Sequence, residues 1–410
     1  MSKEENKSDI FAKSTEMEVE VGDGPLFDSV PDQTHQMADT TLVETQATHP
    51  ITRSGGEGRN ELVRIFQEII RQQAIYYPVC YRFQRELGRG RQGVVTMCLR
   101  QGARGCLTKH AIKLFDPSIY SSSTKYWTDM GRIASQVSIM QTMRSPNLIS
   151  MDTYDEVNGV GYIQMEVVNG VDLRYLLNGN HLKLAKAIST ADEWKSFTRT
   201  IFRISDDGSH MSIQPGIAIY ILRMMLRGLE ILHDVGFVHS DIKPSNVMIN
   251  RLGHVKLIDY GRAGKPNEPL RILLGSPLYM APETHLRQPT VNQSDLYSVG
   301  IVALELLRGK PLVTGSKFTE KELLELKMDL PNQLNDLLPR HVVENEEFVQ
   351  VLRKLIDPDP AKRFVDARSA EMDEEGLRIV HKQLMKVGHD ADYLRELAAY
   401  MAKVTKLRKF

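Results

Sequence analysis

The sequence predicts an α+β protein of two lobes, a small β-rich first lobe with one main helix and a larger, mostly helical second lobe. Three observations predict it. Strand-like segments run from Tyr81 to Val168, interrupted by one helical stretch over about Trp127 to Met143. After Gly170 the apolar spacing turns helical, most clearly over Ile217–Val235 and Ser294–Arg308. Between those two helices a hydrophobic strand pair carries Asp241, Lys243, Asn246 and Asp259 to one place.

In chain order, residues 1–60 come first, with twelve Asp and Glu against five Lys and Arg and no apolar periodicity. Such a segment cannot bury enough surface to offset its ordering entropy, so a disordered acidic tail is expected. Over 61–78, Leu62, Ile65, Phe66 and Ile69 recur at helical spacing up to the Tyr76-Tyr77-Pro78 break, which predicts a short extension helix. The first lobe occupies 79–168 and the second 169–370. Residues 178–212 form a mixed polar stretch longer than a minimal connection, expected to be an insertion. A helical extension closes the chain over 371–410, with helices at Met372–Met385 and Tyr393–Leu407.

The whole chain balances 52 Lys and Arg against 52 Asp and Glu, which argues against a dedicated nucleic-acid or anionic-membrane binder. The three cysteines, Cys80, Cys98 and Cys106, have neither disulfide-framework nor zinc-ligand spacing, so a reducing, cytoplasmic setting is expected. No apolar run reaches the ~18 residues of a spanning helix, and the first residues lack the apolar core of a secretory signal.

Gly88, Gly90, Gly93 and Val95 form a G-x-G-x-x-G-x-V pattern. In a dinucleotide-binding fold a helix follows such glycines, but here Val94 to Leu99 is β-branched and strand-like. The glycines then belong to a hairpin whose amides can close over phosphates. Further on, Lys113 lies amid apolar strand residues in His110-Ala111-Ile112-Lys113-Leu114, and a lysine so placed needs an anionic partner. In the strand-pair segment a hydroxyl nucleophile requires a carboxylate to take its proton, and a triphosphate requires a divalent cation on hard oxygen ligands. Asp241 suits the first task, and Asn246 with Asp259 suits the second.

His239-Ser-Asp241-Ile-Lys243-Pro-Ser-Asn246 and Asp259-Tyr-Gly261 resemble the H-R-D-x-K-P-x-x-N and D-F-G signatures of eukaryotic-type (Hanks-type) serine/threonine protein kinases. The glycine pattern, the Lys113 strand and Gly275-Ser-Pro-Leu-Tyr-Met-Ala-Pro-Glu283 are similar to that family's motifs in the same order, over residues 83–365. The resemblance implies the bilobal protein-kinase fold, with ATP and Mg2+ as cofactors and Ser/Thr hydroxyls of protein substrates as acceptors. Lys243 would then neutralise charge on the transferred group, and Lys113 would meet the α- and β-phosphates.

The resemblance also assigns an adenine site, with Met165 as gatekeeper, Glu166 and Val168 offering backbone contacts, and Val95, Ala111 and Met248 sandwiching the ring. Asp172 would meet the ribose. Where the family carries a glutamate that orients the lysine, this sequence has Gln136, expected to accept a weaker bond from Lys113; Asp129, two turns earlier, cannot replace it. Ser276 is expected to bond Asp241 and Lys243, Glu283 to pair with Arg363, and Asp295 to brace the catalytic loop. Ser240 stands where the family's phosphate-gripping arginine would be, and Ile272 where the loop's phosphate acceptor would be, so activity without activation-loop phosphorylation is expected. A non-catalytic relative, a pseudokinase that binds nucleotide or scaffolds, is the alternative.

Overall fold

The computed structural model describes residues 80–157, 159–205, 210–259, 263–267, 276–314, 318–386 and 392–407. The acidic tail and the extension helix expected before residue 79 lie outside them. The first lobe is a five-stranded sheet of order β1-β2-β3-β5-β4, from β1 Tyr81–Gly90, β2 Gly93–Gln101, β3 Leu107–Phe115, β4 Met151–Val157 and β5 Val160–Met165. Its one long helix, α1, spans Ser123–Met140 and starts where the Ser122 hydroxyl accepts a bond from the Lys125 N–H. Tyr126, Met130, Ile133, Val137 and Met140 give α1 its buried stripe, and the start lies four residues earlier than the apolar pattern alone suggested. Between α1 and β4 the chain is stitched to the second lobe. Asn147 donates its side-chain amide to the Val255 carbonyl and accepts from the Leu257 N–H.

The second lobe opens with β6 Gly170–Asp172, α2 Leu173–Asn178, α3 Asn180–Ala187, α4 Ala191–Thr200 and the hairpin β7 Phe202–Ile204 with β8 Met211–Ile213. Helix α5, Pro215–Asp234, begins on a proline at its first position, where no N–H is missed. After it come β9 Val247–Asn250 and β10 Val255–Leu257, which pair antiparallel and join β6 in a small sheet of order β10-β9-β6. The remaining helices are α6 Pro282–His285, α7 Asn292–Arg308, α8 Glu320–Leu337, α9 Arg340–Val343, α10 Glu346–Leu355, α11 Ala367–Met372, α12 Leu377–Lys386 and α13 Tyr393–Leu407. Helix α7 is buried on every side from Ser294 to Arg308, and α5 packs along it, so these two form the core axis. The helix expected over Met372–Met385 is instead α11 and α12, broken at Gly376, where a side chain would press on the Ala370 and Ser369 carbonyls.

The 178–212 stretch and the C-terminal helix form one structure. Tyr400 of α13 inserts among Phe197, Phe202 and His181, with ring centroids 5.1, 4.8 and 5.7 Å away. Polar contacts frame that cluster: Ser196 donates to Glu396 at 2.9 Å and Lys403 pairs with Glu193 at 2.8 Å. Gly216 at the start of α5 has no side chain because Tyr393 occupies the space beside it.

Several charged groups are buried in the second lobe, Glu283, Arg363 and Lys327 among them. Arg363 makes a two-pronged pair with Glu283 at 2.8 Å on each arm, and Ser294 adds a 2.7 Å hydroxyl bond to the same carboxylate. The remaining guanidinium N–H groups go to the carbonyls of Asp357, Pro358 and Gln293. Lys327 of α8 has no exposed surface; its ammonium donates to the carbonyls of Pro277 and Met280 and lies beside His285 Nε2.

Loss of one member of the Glu283–Arg363 pair strands the other charge. Arg363→Met is therefore expected to lower unfolding free energy by ~3–5 kcal/mol, with part of the loss recovered in Glu283→Gln/Arg363→Met, both read from urea melts. Burial pushes the Lys327 ammonium from 10.5 down to about 7, partly countered by Glu283. Between that value and the unfolded one, the unfolded chain holds a proton that the folded chain lacks, so stability rises with pH; below about 7 both states are protonated and the penalty is fully in force. His285, held down at about 4 by burial and by Lys327, does not titrate in this window. Compared with Lys327→Met, wild type is expected to gain about 1.4 kcal/mol per pH unit from pH ~7 upward, measured as the difference in urea-derived stability across pH ~6.5–9.

Candidate active site

The upper wall of the cleft is one face of the first-lobe sheet. Val95 stands opposite Lys113, Met97 opposite Ala111, and Ala111 opposite Met165, so all five side chains share a face because directly paired strand residues point the same way. Gly88 and Gly90 end β1 and Gly93 starts β2, with Arg91 and Gln92 at the hairpin tip. Gly93 has φ +141°, and any Cβ there would run into the Leu114 carbonyl, so only glycine allows β2 to fold this close on β3. The tip is tied back by the Asp116 N–H donating to the Gln92 carbonyl at 3.0 Å. Lys113, nearly buried, reaches across the cleft to Asp259 Oδ1 at 2.6 Å and to Gln92 Oε1 at 3.1 Å.

The floor is built around Asp241. Its carboxylate accepts from Lys243 at 2.7 Å and from the Asn246 side-chain amide at 3.0 Å, and the same amide also donates to the Asp241 carbonyl at 2.9 Å. This leaves Asn246 Oδ1 as the amide's free-facing acceptor atom. The Ile258 N–H donates to the Asn246 carbonyl, so the base of the β9–β10 hairpin puts Asn246 beside the residue preceding Asp259. Below them Asp295, 1% exposed, accepts from His233 Nε2 at 2.9 Å, the His239 N–H at 2.8 Å and the Ser240 N–H at 2.9 Å. Ser240 and Asp259 both have φ +63°, a strained conformation for non-glycine residues, and Asp295 holds the first of them in place.

Gln136 and Ser276 bond differently from expectation. Gln136 does not contact Lys113; its side-chain amide donates to the buried Ala263 carbonyl, to which Arg132 also donates at 3.2 Å. Lys113 is taken instead by the Asp259 carboxylate, a stronger acceptor for an ammonium than an amide oxygen, and by the nearer hairpin-tip amide of Gln92. Asp129 is occupied by Tyr120 and Arg132. Among the described residues, Ser276 makes no bond to Asp241 or Lys243; its carbonyl accepts from the Tyr279 N–H, and Lys243 takes the nearer carboxylate. Asp172 caps α2 by accepting from the Tyr175 N–H at 2.7 Å. Glu166 donates its N–H to the Ser150 carbonyl, and its side chain pairs with Lys256 at 2.7 Å, while Val168 follows in irregular backbone. Met248 lies on β9 directly opposite Asp172. Tyr260, Gly261, Ile272 and Gly275 lie outside the described residues.

Three features of the site escaped sequence reasoning. Gln92, inside the glycine pattern, is a Lys113 partner; its place between the glycines was the only available signal. Arg174 donates to Tyr279 Oη at 2.8 Å, and that hydroxyl donates to buried Glu305 at 2.5 Å, with burial and Glu305 together raising the phenol's pKa. Lys327 under Pro277 and Met280 is the third.

The donor chemistry fits a nucleotide–metal pair. Asp259 and Asn246 offer hard oxygens, the kind Mg2+ takes from protein while phosphates and water complete its shell. Lys113 is a nearly buried cation positioned for an anion. Among the described residues no group of three or more His, Cys, Asp or Glu side chains could hold a metal by itself, and no helix is long and apolar enough to cross a membrane.

Comparison with known proteins agrees with this geometry. The chain is 29% identical over 241 residues to a probable serine/threonine-protein kinase, pknA2, of Bifidobacterium longum, covering 56% of this chain and 26% of that protein. It is 26% identical over 294 residues to the serine/threonine-protein kinase PknD of Mycobacterium tuberculosis, covering 70% and 38%, and 27% identical over 236 residues to the mouse serine/threonine-protein kinase ULK3, covering 57% and 43%. It thus spans less than half the length of each of these relatives. The protein kinase domain family matches residues 81–372, from the first strand of the sheet to the end of α11, and the chain belongs to that family.

Proposed function

We propose that the chain is an ATP- and Mg-dependent serine/threonine protein kinase that needs no activation-loop phosphorylation. The observation that carries this reading is the joining of Asp241, Lys243 and Asn246 in one hydrogen-bonded loop, with Lys113 and Asp259 paired at 2.6 Å above it. Bound MgATP would supply the transferable γ-phosphoryl group. Asp259 and the Asn246 amide oxygen would hold the cation, and Lys113 would turn from Asp259 towards the phosphates. Asp241 orients the acceptor hydroxyl and takes its proton as the new P–O bond forms and the bond to the β-phosphate oxygen breaks. Lys243 stands beside that carboxylate and offsets negative charge on the moving group. Val95, Ala111, Met165 and Met248 supply apolar walls for an adenine, with the backbone at Glu166 and Val168 along its edge.

The serine/threonine preference rests on Asp241-Ile-Lys243-Pro and on the names of the relatives. Residues 276–283 serve as the platform for a protein acceptor, held by Ser298, which donates to the Tyr279 carbonyl at 2.8 Å. A reducing compartment suits the three free cysteines. Independence from loop phosphorylation follows from Ser240, whose short hydroxyl cannot grip a phosphate and whose N–H is committed to Asp295.

Wild type with Mg-ATP and a generic protein acceptor is expected to transfer phosphate to serine or threonine, and Asp241→Ala to lose at least about a hundredfold in rate. Equal, background-level incorporation by both proteins would instead leave a binding or scaffolding role. Phosphatase treatment of the purified enzyme is expected to leave the rate within about twofold, since no phosphate grip is present at Ser240. A large loss mapped to a phosphorylated residue between 260 and 283 would overturn that part of the reading.

A further inference from the structure

Lys327 is a fully buried lysine that the transfer chemistry does not use. Its Nζ donates to the carbonyls of Pro277 and Met280 and lies 2.8 Å from His285 Nε2, which itself lies 3.0 Å from the Pro277 carbonyl. The two carbonyls bracket Leu278 and Tyr279. Tyr279 is fixed independently, by Ser298 on its carbonyl and by Glu305 and Arg174 at its hydroxyl. An apolar side chain at 327 would avoid the cost of desolvating an ammonium, yet would leave both carbonyls without this donor. What the lysine provides that a leucine cannot is therefore the backbone conformation of four consecutive residues.

We propose that Lys327 is a positioning residue for the protein acceptor, holding the Pro277–Met280 backbone in the shape against which the substrate chain lies. This rests on the reading of 276–283 as the acceptor platform. The lysine touches neither nucleotide nor acceptor. It acts through the backbone it holds, so its loss weakens acceptor binding and leaves nucleotide binding alone. A merely structural lysine would act on the whole lobe and would not divide the two.

Steady-state transfer from MgATP to myelin basic protein tests this. Lys327→Met is expected to raise the KM for the protein acceptor about tenfold, for two lost hydrogen bonds, with the KM for MgATP within about twofold of wild type. Lys327→Gln, whose amide carries two N–H groups for the two carbonyls, is expected to recover most of the acceptor KM. An unmoved acceptor KM in folded Lys327→Met, or parallel changes in both KM values, would overturn the proposal. Failure of both variants to fold would show that Lys327 supports the lobe and not the platform, which overturns it equally. Wild type unable to phosphorylate any acceptor would remove the kinase reading itself, and the platform with it, a result distinct from any difference between variants.

Discussion

The buried carboxylate of Asp295 is the constraint on which the site depends. An ionised group 1% exposed is tolerated only when donors surround it, and its donors are His233 and two consecutive backbone N–H groups, of His239 and Ser240. Those N–H groups converge on one carboxylate with Ser240 in a left-handed conformation, φ +63°, immediately before Asp241. The core helix and the catalytic loop therefore satisfy each other. The same helix repeats the device along its length: Ser294 bonds Glu283, Ser298 bonds the Tyr279 carbonyl, and Glu305 accepts from the Tyr279 hydroxyl. A helix buried on every side thus holds, through its few polar residues, both the catalytic loop and the segment proposed to receive the acceptor.

The first lobe meets this frame through the Glu166–Lys256 pair, the Asn147 bonds to β10 and, inside the cleft, the Lys113–Asp259 ion pair. Lys113 sits among apolar strand residues and needs an anion, and Asp259, at φ +63°, provides one. Such a pair is an exchangeable arrangement. A polyphosphate with its cation offers Lys113 a stronger anion and offers Asp259 a stronger cation, so both groups gain by changing partners together. Gln136 takes no part in this exchange. By bonding Ala263 it ties α1 to the chain just beyond Asp259 through a backbone carbonyl and not through the lysine.

What was legible in the sequence is what is encoded locally. Asp241, Lys243 and Asn246 lie within six residues and are joined by bonds inside that span, so their spacing alone carries their geometry. Helices α5 and α7 announce themselves by apolar content, by Pro215 at one start and by Gly309 at the other end. Glu283 and Arg363 were legible only through resemblance, because nothing local in either segment points to a partner eighty positions away. Illegible features depend on competition in three dimensions. Gln136, Gln92 and Asp259 all could serve Lys113, and only the folded arrangement brings the last two to it and sends Gln136 to Ala263. Lys327, one of two lysines on the amphipathic helix α8, reads in sequence as a solvated face, and its burial follows from the packing of α8 against α6.

The union of the 178–212 stretch with α13 belongs to the same class, and it bears on the active site. Ser196 and Glu396 are two hundred residues apart, and polar composition hid the aromatic joint of Phe197, Phe202 and Tyr400 between them. Helix α13 also packs on β6 and β9. Those two strands carry Asp172 and Met248 opposite one another, and β9 leads directly out of the loop containing Asn246. Gly253, at the turn after β9, lacks a side chain because the α13 backbone at Leu394 occupies that space. The floor of the cleft is thus braced from outside the segment shared with the family, which ends at residue 372. Support for the catalytic loop comes from α7 on one side and, through β9, from this chain's own terminal helix on the other.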